Sequence, residues 1–169
     1  RNGSVWNSTR SPRRQPRLMP SARTRVTDPE AVGVGPLWVG TSWKMNKGVT
    51  ESRLYARGLS EYTSRTDLSG VQPFIIPSFT AVAAARDELG AGSPVLLGVQ
   101  NAHWEDHGAW TGEVSVMQAK DAGAQLVEIG HSERREHFGE TVATTRLKVA
   151  AVLAHGLVPL LCVGESDEV

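Results

Sequence analysis

Five apolar runs alternate with segments of helical periodicity, and this alternation limits the fold more than any other feature of the chain. The runs begin 35, 23, 30 and 33 residues apart, a spacing typical of parallel strands joined through helices. Phe74–Ile76 and Leu160–Val163 are apolar throughout, as in strands that are covered on both faces. We therefore predict an α/β fold with parallel strands at 37–42, 72–77, 95–100, 125–130 and 158–163.

Four helices are predicted between and beside these strands, and their starts carry helix-capping residues. The first helix, at about 50–64, begins at Thr50-Glu51. The second is rich in alanine, is capped by Thr80 and ends at Gly90. The third and fourth begin after Ser115 and Thr141. A (β/α)8 barrel and an open doubly wound sheet both fit this order. No G-x-G-x-x-G follows the first strand, which disfavours the dinucleotide-binding form of the second.

Residues 1–36 differ in composition from the rest of the chain. They hold seven arginines, two acidic residues and no apolar period, so we predict a disordered tail at 1–36 and a folded part at 37–169. The formal net charge of zero gives no reason to expect nucleic acid or membrane as a partner. Cys162 is the only cysteine, which excludes an internal disulfide and fits a cytoplasmic location.

Polar side chains gather where the predicted strands end. Because active sites of α/β barrels lie at the carboxyl ends of the strands, these residues predict a site at that rim: Ser42, Lys44, Asn46, Gln100, Asn101, His131, Glu133 and Glu165.

His131 and Lys44 are the strongest candidates for chemistry. His131 lies between a strand end and a helix start, where the helix dipole favours the neutral imidazole as a hydrogen-bond donor. Lys44 is either a solvated lysine or a fixed positive charge for an anionic substrate such as a phosphate ester. In the second case it needs a nearby carboxylate, for which Glu133 is the candidate.

His103 and His107 have a spacing that suits a metal only on a helix, and they lie in a predicted loop. We therefore expect no metal there. Trp104 and Trp110 in the same loop indicate a partner surface.

Six blocks of the sequence closely resemble the triosephosphate isomerase family, in the right order and spacing from about Trp38 to Glu165. They are Trp43-Lys44-Met45-Asn46, Gln100-Asn101, Thr111-Gly112-Glu113, Gly130-His131-Ser132-Glu133-Arg134-Arg135, Phe138-Gly139-Glu140 and Cys162-Val163-Gly164-Glu165.

The resemblance implies the N-terminal part of a (β/α)8 TIM barrel, incomplete here at about five βα units. It implies a glycolytic and gluconeogenic isomerase that converts dihydroxyacetone phosphate to glyceraldehyde 3-phosphate through an enediolate, without cofactor or metal. His131 matches the electrophile, Lys44 the substrate-binding lysine and Glu133 the buried carboxylate that supports this lysine. The loop Thr111, Gly112 and Glu113 matches the arm that docks into the partner of a homodimer.

Two departures from the family pattern lead to alternatives. Ser42 stands where the family usually has asparagine facing the substrate, and together with His103-Trp104-Glu105-Asp106 it favours the erythrulose-phosphate isomerases, which act on four-carbon ketose phosphates. The family's glutamate base and phosphate clamp follow the sixth strand, whereas the chain reaches Val169 just after the fifth. The other alternative is therefore an inactive fragment that lacks the general base.

Overall fold

A computed structural model of the protein describes residues 35–164. Five strands lie close to the predicted positions: β1 (Leu37–Ser42), β2 (Val71–Ile76), β3 (Leu96–Val99), β4 (Leu126–Ile129) and β5 (Val158–Leu161). The tail predicted at 1–36 lies outside the described residues except for its last two positions, so its disorder stays a prediction.

The helices also follow the predicted order: α1 (Val49–Thr63), α2 (Val82–Leu89), α3 (Val116–Asp121), α4 (Ser132–His137) and α5 (Val142–Ala154). Ser115 and Thr141 cap α3 and α5 as expected, since each side chain accepts from the backbone N–H three residues on. Thr80 does not cap α2. Residues Phe79–Ala81 form a 3₁₀ turn first, so α2 begins one residue after Ala81.

The strand order separates the two architectures that the sequence left open. All four neighbouring pairs are parallel, and the sheet runs β1-β2-β3-β4-β5 in chain order. A doubly wound sheet reverses its strand order at a switch point, and this sheet does not. The described residues therefore form part of a (β/α)8 barrel.

The sheet is strongly curved, as a barrel requires. In a flat sheet β1 and β4 would lie about 14 Å apart, three strand spacings of about 4.8 Å. Instead, the Ser42 hydroxyl at the end of β1 lies 2.7 Å from the Glu128 carboxylate on β4. The inward face of the sheet thus brings together side chains from strands that are not neighbours.

Apolar side chains pack on both faces of the sheet. The face towards the helices carries a continuous core that includes Ile75, Val99, Val127 and Ile129. On the inward face, Leu126 fills the space that Gly98 leaves open, and a Cβ at position 98 would lie 2.4 Å from Leu126 Cδ1. Position 128 lies between Val127 and Ile129 and therefore faces inward.

The two outer strands are more exposed than their composition predicts. Most of β1 is exposed, and Leu161 of β5 keeps 48% of its surface accessible. Neither strand has a second neighbour among the described residues, so the prediction that both faces of the fifth strand are covered is wrong for this part of the barrel. None of the described helices is long and apolar enough to span a membrane.

Candidate active site

The backbone at the end of β4 fixes the position of His131. Gly130 has φ +72°, a conformation that favours glycine, and a Cβ there would lie 3.2 Å from Thr145 Cγ2. His131 is the N-cap of α4, and its Nδ1 accepts a hydrogen bond of 3.1 Å from the Glu133 backbone N–H. The ring hydrogen of the neutral imidazole therefore lies on Nε2, which points away from the helix.

Both backbone groups of Gly130 are held by charged side chains. Its N–H donates to Glu140 Oε1 at 2.9 Å, and its carbonyl accepts from the guanidinium of Arg135. Arg135 also donates to the carbonyl of Cys162 at 3.2 Å. The turn that carries His131 is thus tied both to the start of α5 and to the end of β5.

Lys44 follows the end of β1 in a strained backbone conformation. Its φ of 54° is uncommon for a residue other than glycine, and such strain concentrates at functional sites. The Gln100 side chain holds this turn, because its Nε2 donates to the Lys44 carbonyl at 2.9 Å and to the Ile76 carbonyl at 3.3 Å. Gln100, which was predicted at the rim, therefore stabilises the backbone turn that positions Lys44.

The side chains of Lys44 and His131 meet at the carboxyl ends of the strands. Lys44 Nζ lies against His131 Nε2, with about a third of the lysine side chain exposed. With the ring hydrogen on Nε2, both groups are donors and cannot bond to each other. The pair is therefore suited to a shared oxygen acceptor that carries or develops negative charge. The carbonyl oxygen of a sugar phosphate is such an acceptor.

Glu133 lies beside Lys44, but it is not buried. Its Oε2 is 3.6 Å from Lys44 Nζ and 3.6 Å from His131 Nδ1, so it can offset the charge of the lysine. The side chain is 53% exposed, because it projects from the first turn of a short helix that has no buried residue. The expectation of a buried carboxylate is wrong for this structure.

Ser42 lies at the end of β1 and faces the barrel interior. Its hydroxyl donates to Glu128 Oε2 at 2.7 Å, a contact that the sequence analysis did not anticipate. The thiol of Cys162 lies 3.9 Å from the other oxygen of the same carboxylate. Burial raises the pKa of this thiol, and the negative charge of Glu128 raises it further.

A buried polar network lies behind the histidine turn. Lys148 Nζ donates to Glu140 Oε2 at 2.5 Å and to Asn101 Oδ1 at 2.9 Å, and Arg134 Nε reaches Glu140 Oε2 at 3.0 Å. Burial alone would raise the pKa of Glu140, but the hydrogen bonds from Lys148 and Arg134 outweigh it and hold the pKa below its ordinary value. Sequence reasoning missed Lys148, because nothing in the sequence links it to Asn101, 47 residues away.

The loop between β3 and α3 is held by aromatic stacking. The buried ring of His103 stacks on Trp104 and packs against Trp110, with centroids 4.2 and 4.3 Å apart. Its Nδ1 accepts from the Glu105 backbone N–H at 3.0 Å, so this nitrogen is already engaged within the loop. After the aromatic cluster, the loop is exposed at the three positions of the predicted dimer arm, Thr111, Gly112 and Glu113.

The predicted rim residue Glu165 lies outside the described residues.

The chain is similar to curated proteins named L-erythrulose-1-phosphate isomerase. It is 77% identical over 143 residues to the protein of Mycolicibacterium smegmatis, which covers 85% of this chain and 54% of the relative. It is 52% identical to the protein of Brucella abortus over 78% of this chain, and 53% identical to the protein of Rhizobium meliloti over 77% of this chain. Each match covers 50% of the relative. The chain thus spans about half the length of the curated relatives it matches.

The fold is likewise similar to that of a solved structure, triosephosphate isomerase from Bartonella henselae. The two superpose with a TM-score of 0.68 at 39% sequence identity, over 79% of this chain and 53% of the other. The family model described as triosephosphate isomerase matches residues 37–169, which include every strand of the sheet. The chain that carries Lys44 and His131 on this curved sheet therefore belongs to the triosephosphate isomerase family.

Proposed function

We propose that the complete protein is a sugar-phosphate isomerase that acts on a four-carbon ketose phosphate. The observation that carries the isomerase assignment is the meeting of Lys44 Nζ and His131 Nε2 at the strand ends. The substrate assignment is supported by the names of the relatives and by Ser42 in place of the family's usual asparagine. These favour the alternative over the sequence-based main prediction, dihydroxyacetone phosphate to glyceraldehyde 3-phosphate.

In this mechanism the two donors stabilise the charge that develops on the substrate oxygen. A base removes the proton from the carbon next to the carbonyl, and the C–H electron pair forms the carbon–carbon double bond of an enediolate. His131 Nε2–H hydrogen-bonds to the carbonyl oxygen as it gains negative charge, while the Lys44 ammonium offsets that charge. The hydroxyl proton on the deprotonated carbon passes to the former carbonyl oxygen, and the abstracted proton is returned to the former carbonyl carbon. The carbonyl group has then moved by one carbon, and no external oxidant is needed.

The general base is the part of this mechanism that the described strands do not carry. The resemblance assigns it to a glutamate after a sixth strand, and the five strands described here end with β5. Residues 35–164 thus supply the electrophilic half of the site, and we assign proton abstraction to the remainder of the barrel.

Homodimer formation and a cytoplasmic location are part of the same proposal. The arm Thr111, Gly112 and Glu113 is exposed and stands on a loop braced by His103 and the two tryptophans. An exposed loop on a rigid base is suited to docking into a second copy, as the resemblance implies for this arm.

Steady-state kinetics of a complete barrel containing this chain would test the proposal. We expect kcat/KM for L-erythrulose 1-phosphate to exceed that for dihydroxyacetone phosphate by about 10-fold or more, since one methylene-sized difference is worth about 10- to 200-fold. His131→Gln should lower kcat by about 100-fold or more. His137→Gln, the same change at an exposed position of α4, should not. A preference for the three-carbon substrate would refute the four-carbon assignment.

A further inference from the structure

A carboxylate in the barrel interior is left unexplained by the proposed mechanism. Glu128 is the one charged residue of β4, and it is only 6% exposed. An ionised carboxylate taken out of water costs free energy unless partners compensate it. Because Val127 and Ile129 belong to the helix-facing core, Glu128 projects to the inward face. It is the next-to-last residue of β4 and so lies near the carboxyl end of the strand, the end at which barrel enzymes bind their substrates.

The contacts of Glu128 fix the polarity of this part of the site. Ser42 Oγ donates its only hydrogen to Oε2 at 2.7 Å, so the serine can offer only lone pairs to any further partner. The Cys162 thiol lies 3.9 Å from Oε1. A carboxylate has about four acceptor positions, and these two contacts engage two of them. The cluster of Ser42, Glu128 and Cys162 therefore presents acceptors to a ligand.

The cluster lies directly beneath the two donors of the site. Ser42 ends β1 and precedes Lys44 by two residues, and Glu128 of β4 precedes His131 by three. Glu128 Oε1 lies 3.9 Å from the Cys162 sulfur, and the charges of Glu128 and Lys44 shift the pKa of this thiol in opposite directions. The acceptors thus lie two and three residues along the chain from the two donors that would face a substrate carbonyl oxygen.

We infer that Glu128 and Ser42 form the subsite that selects the length of the sugar phosphate. The subsite accepts a hydrogen bond from the hydroxyl group that a four-carbon ketose phosphate has and a three-carbon one lacks. Its negative charge also repels the phosphate, so the phosphate end binds away from β4. This inference rests on the proposed function and names the groups that produce its specificity.

The test compares kcat/KM for L-erythrulose 1-phosphate and dihydroxyacetone phosphate in a complete barrel containing this chain. Glu128→Val removes the acceptor and introduces an apolar side chain like those in the rest of β4. The ratio of the two kcat/KM values should fall about 10- to 100-fold, the range for losing a hydrogen bond to a charged group. Glu128→Gln keeps one acceptor oxygen and the shape, and should give a smaller fall. Glu136→Gln, on the exposed face of α4, is the matched control and should leave the ratio unchanged.

A purely structural role for Glu128 would lower both kcat/KM values together and leave their ratio within about twofold. That result, in variants that keep the wild-type circular dichroism spectrum, would overturn the inference while leaving the four-carbon proposal standing. A wild-type enzyme that prefers dihydroxyacetone phosphate would instead refute the proposed function, and the subsite with it. A Ser42→Ala variant that shifts the ratio in the same direction as Glu128→Val would support the shared role of the pair.

Discussion

Replacing Lys148 with methionine should destabilise the barrel strongly, although Lys148 lies outside the reacting centre. The side chains of Lys148 and Glu140 are 6% and 2% exposed. Removing one partner of a buried ion pair costs about 3–5 kcal/mol, because the remaining charge stays buried. Arg134 still reaches Glu140 at 3.0 Å, which favours the lower end of that range. Asn101 Oδ1 loses its donor and adds about 1 kcal/mol.

The expected total is about 4 kcal/mol, measured by urea denaturation of a complete barrel followed by circular dichroism. For a domain of 150–250 residues this corresponds to a fall in Tm of about 8–16 °C. Lys120→Met is the matched control, since Lys120 is exposed and donates only to the His155 carbonyl. It should cost less than about 0.5 kcal/mol. The m-value should stay constant in both variants.

A double-mutant cycle separates the ion pair from the other effects of the substitution. Glu140→Gln alone leaves Lys148 without its charged partner, and the double variant Lys148→Met with Glu140→Gln removes both charges. We expect a coupling free energy of at least about 1.5 kcal/mol. If Lys148→Met costs less than about 1 kcal/mol, or if the two single changes are additive, the buried ion pair does not stabilise the fold by the expected amount.

Acid should remove the contribution of Glu140. The pKa of Glu140 in the folded protein lies below its ordinary value of 4.5, so its stabilisation is complete above about pH 4.5 and is lost as the pH falls through the lowered folded pKa. The difference in unfolding free energy between wild type and Glu140→Gln should therefore shrink below that pH. Titrations at pH 7 and pH 3 would measure it, and a difference that grows in acid would contradict the assignment.

Three further predictions concern other parts of the described structure. Gly130→Ala should destabilise the barrel by about 1–2 kcal/mol and lower kcat, because the new Cβ would crowd Thr145 and displace His131. Gly58→Ala, where a Cβ meets open space in α1, should instead stabilise by about 0.5–1 kcal/mol with kcat unchanged, and equal denaturation midpoints for the two variants would contradict this. Cys162 should react with iodoacetamide more slowly than free cysteine at pH 8, because burial and Glu128 raise its pKa above 9.0. Glu128→Gln should accelerate the reaction, and an unchanged rate would show that the carboxylate charge does not reach the thiol. The 169-residue chain by itself should show no isomerase turnover, since the described strands do not carry the proposed general base, and turnover by a preparation free of host enzyme would refute this. It should also unfold with low cooperativity, since β1 and β5 have no second neighbour among the described residues.

The positions of the strands could be read from the sequence because apolar runs of strand length mark them directly. The capping residues Ser115 and Thr141 carry local signals, since each bonds a residue three positions away. Thr80 carried the same signal, but the prediction that it caps α2 is wrong, because the chain first completes a 3₁₀ turn that begins at Ser78. Local chemistry thus predicted where elements begin only where no competing turn was available.

The contacts behind the site could not be read in the same way. Glu128 interrupts an apolar strand, and only the alternation of faces in β4 would have shown that it points inward. Glu140 lies just before α5 and Lys148 in its middle, eight residues apart, and in sequence they resemble a solvated charge pair. Their burial depends on packing of α5 against the sheet and on Asn101 after β3, which no local pattern encodes.

The curvature that brings Ser42 to Glu128 has a consequence for how such a barrel can be divided. Because Lys44 and His131 are brought together within five consecutive strands, cutting the polypeptide after β5 would leave both on one piece and the proposed general base on the other. Among the described residues, β1 and β5 each have one strand neighbour, so their outer edges are where a separately expressed polypeptide carrying the remaining strands would join. We expect a mixture of two such polypeptides to restore the proposed isomerase turnover that neither shows alone.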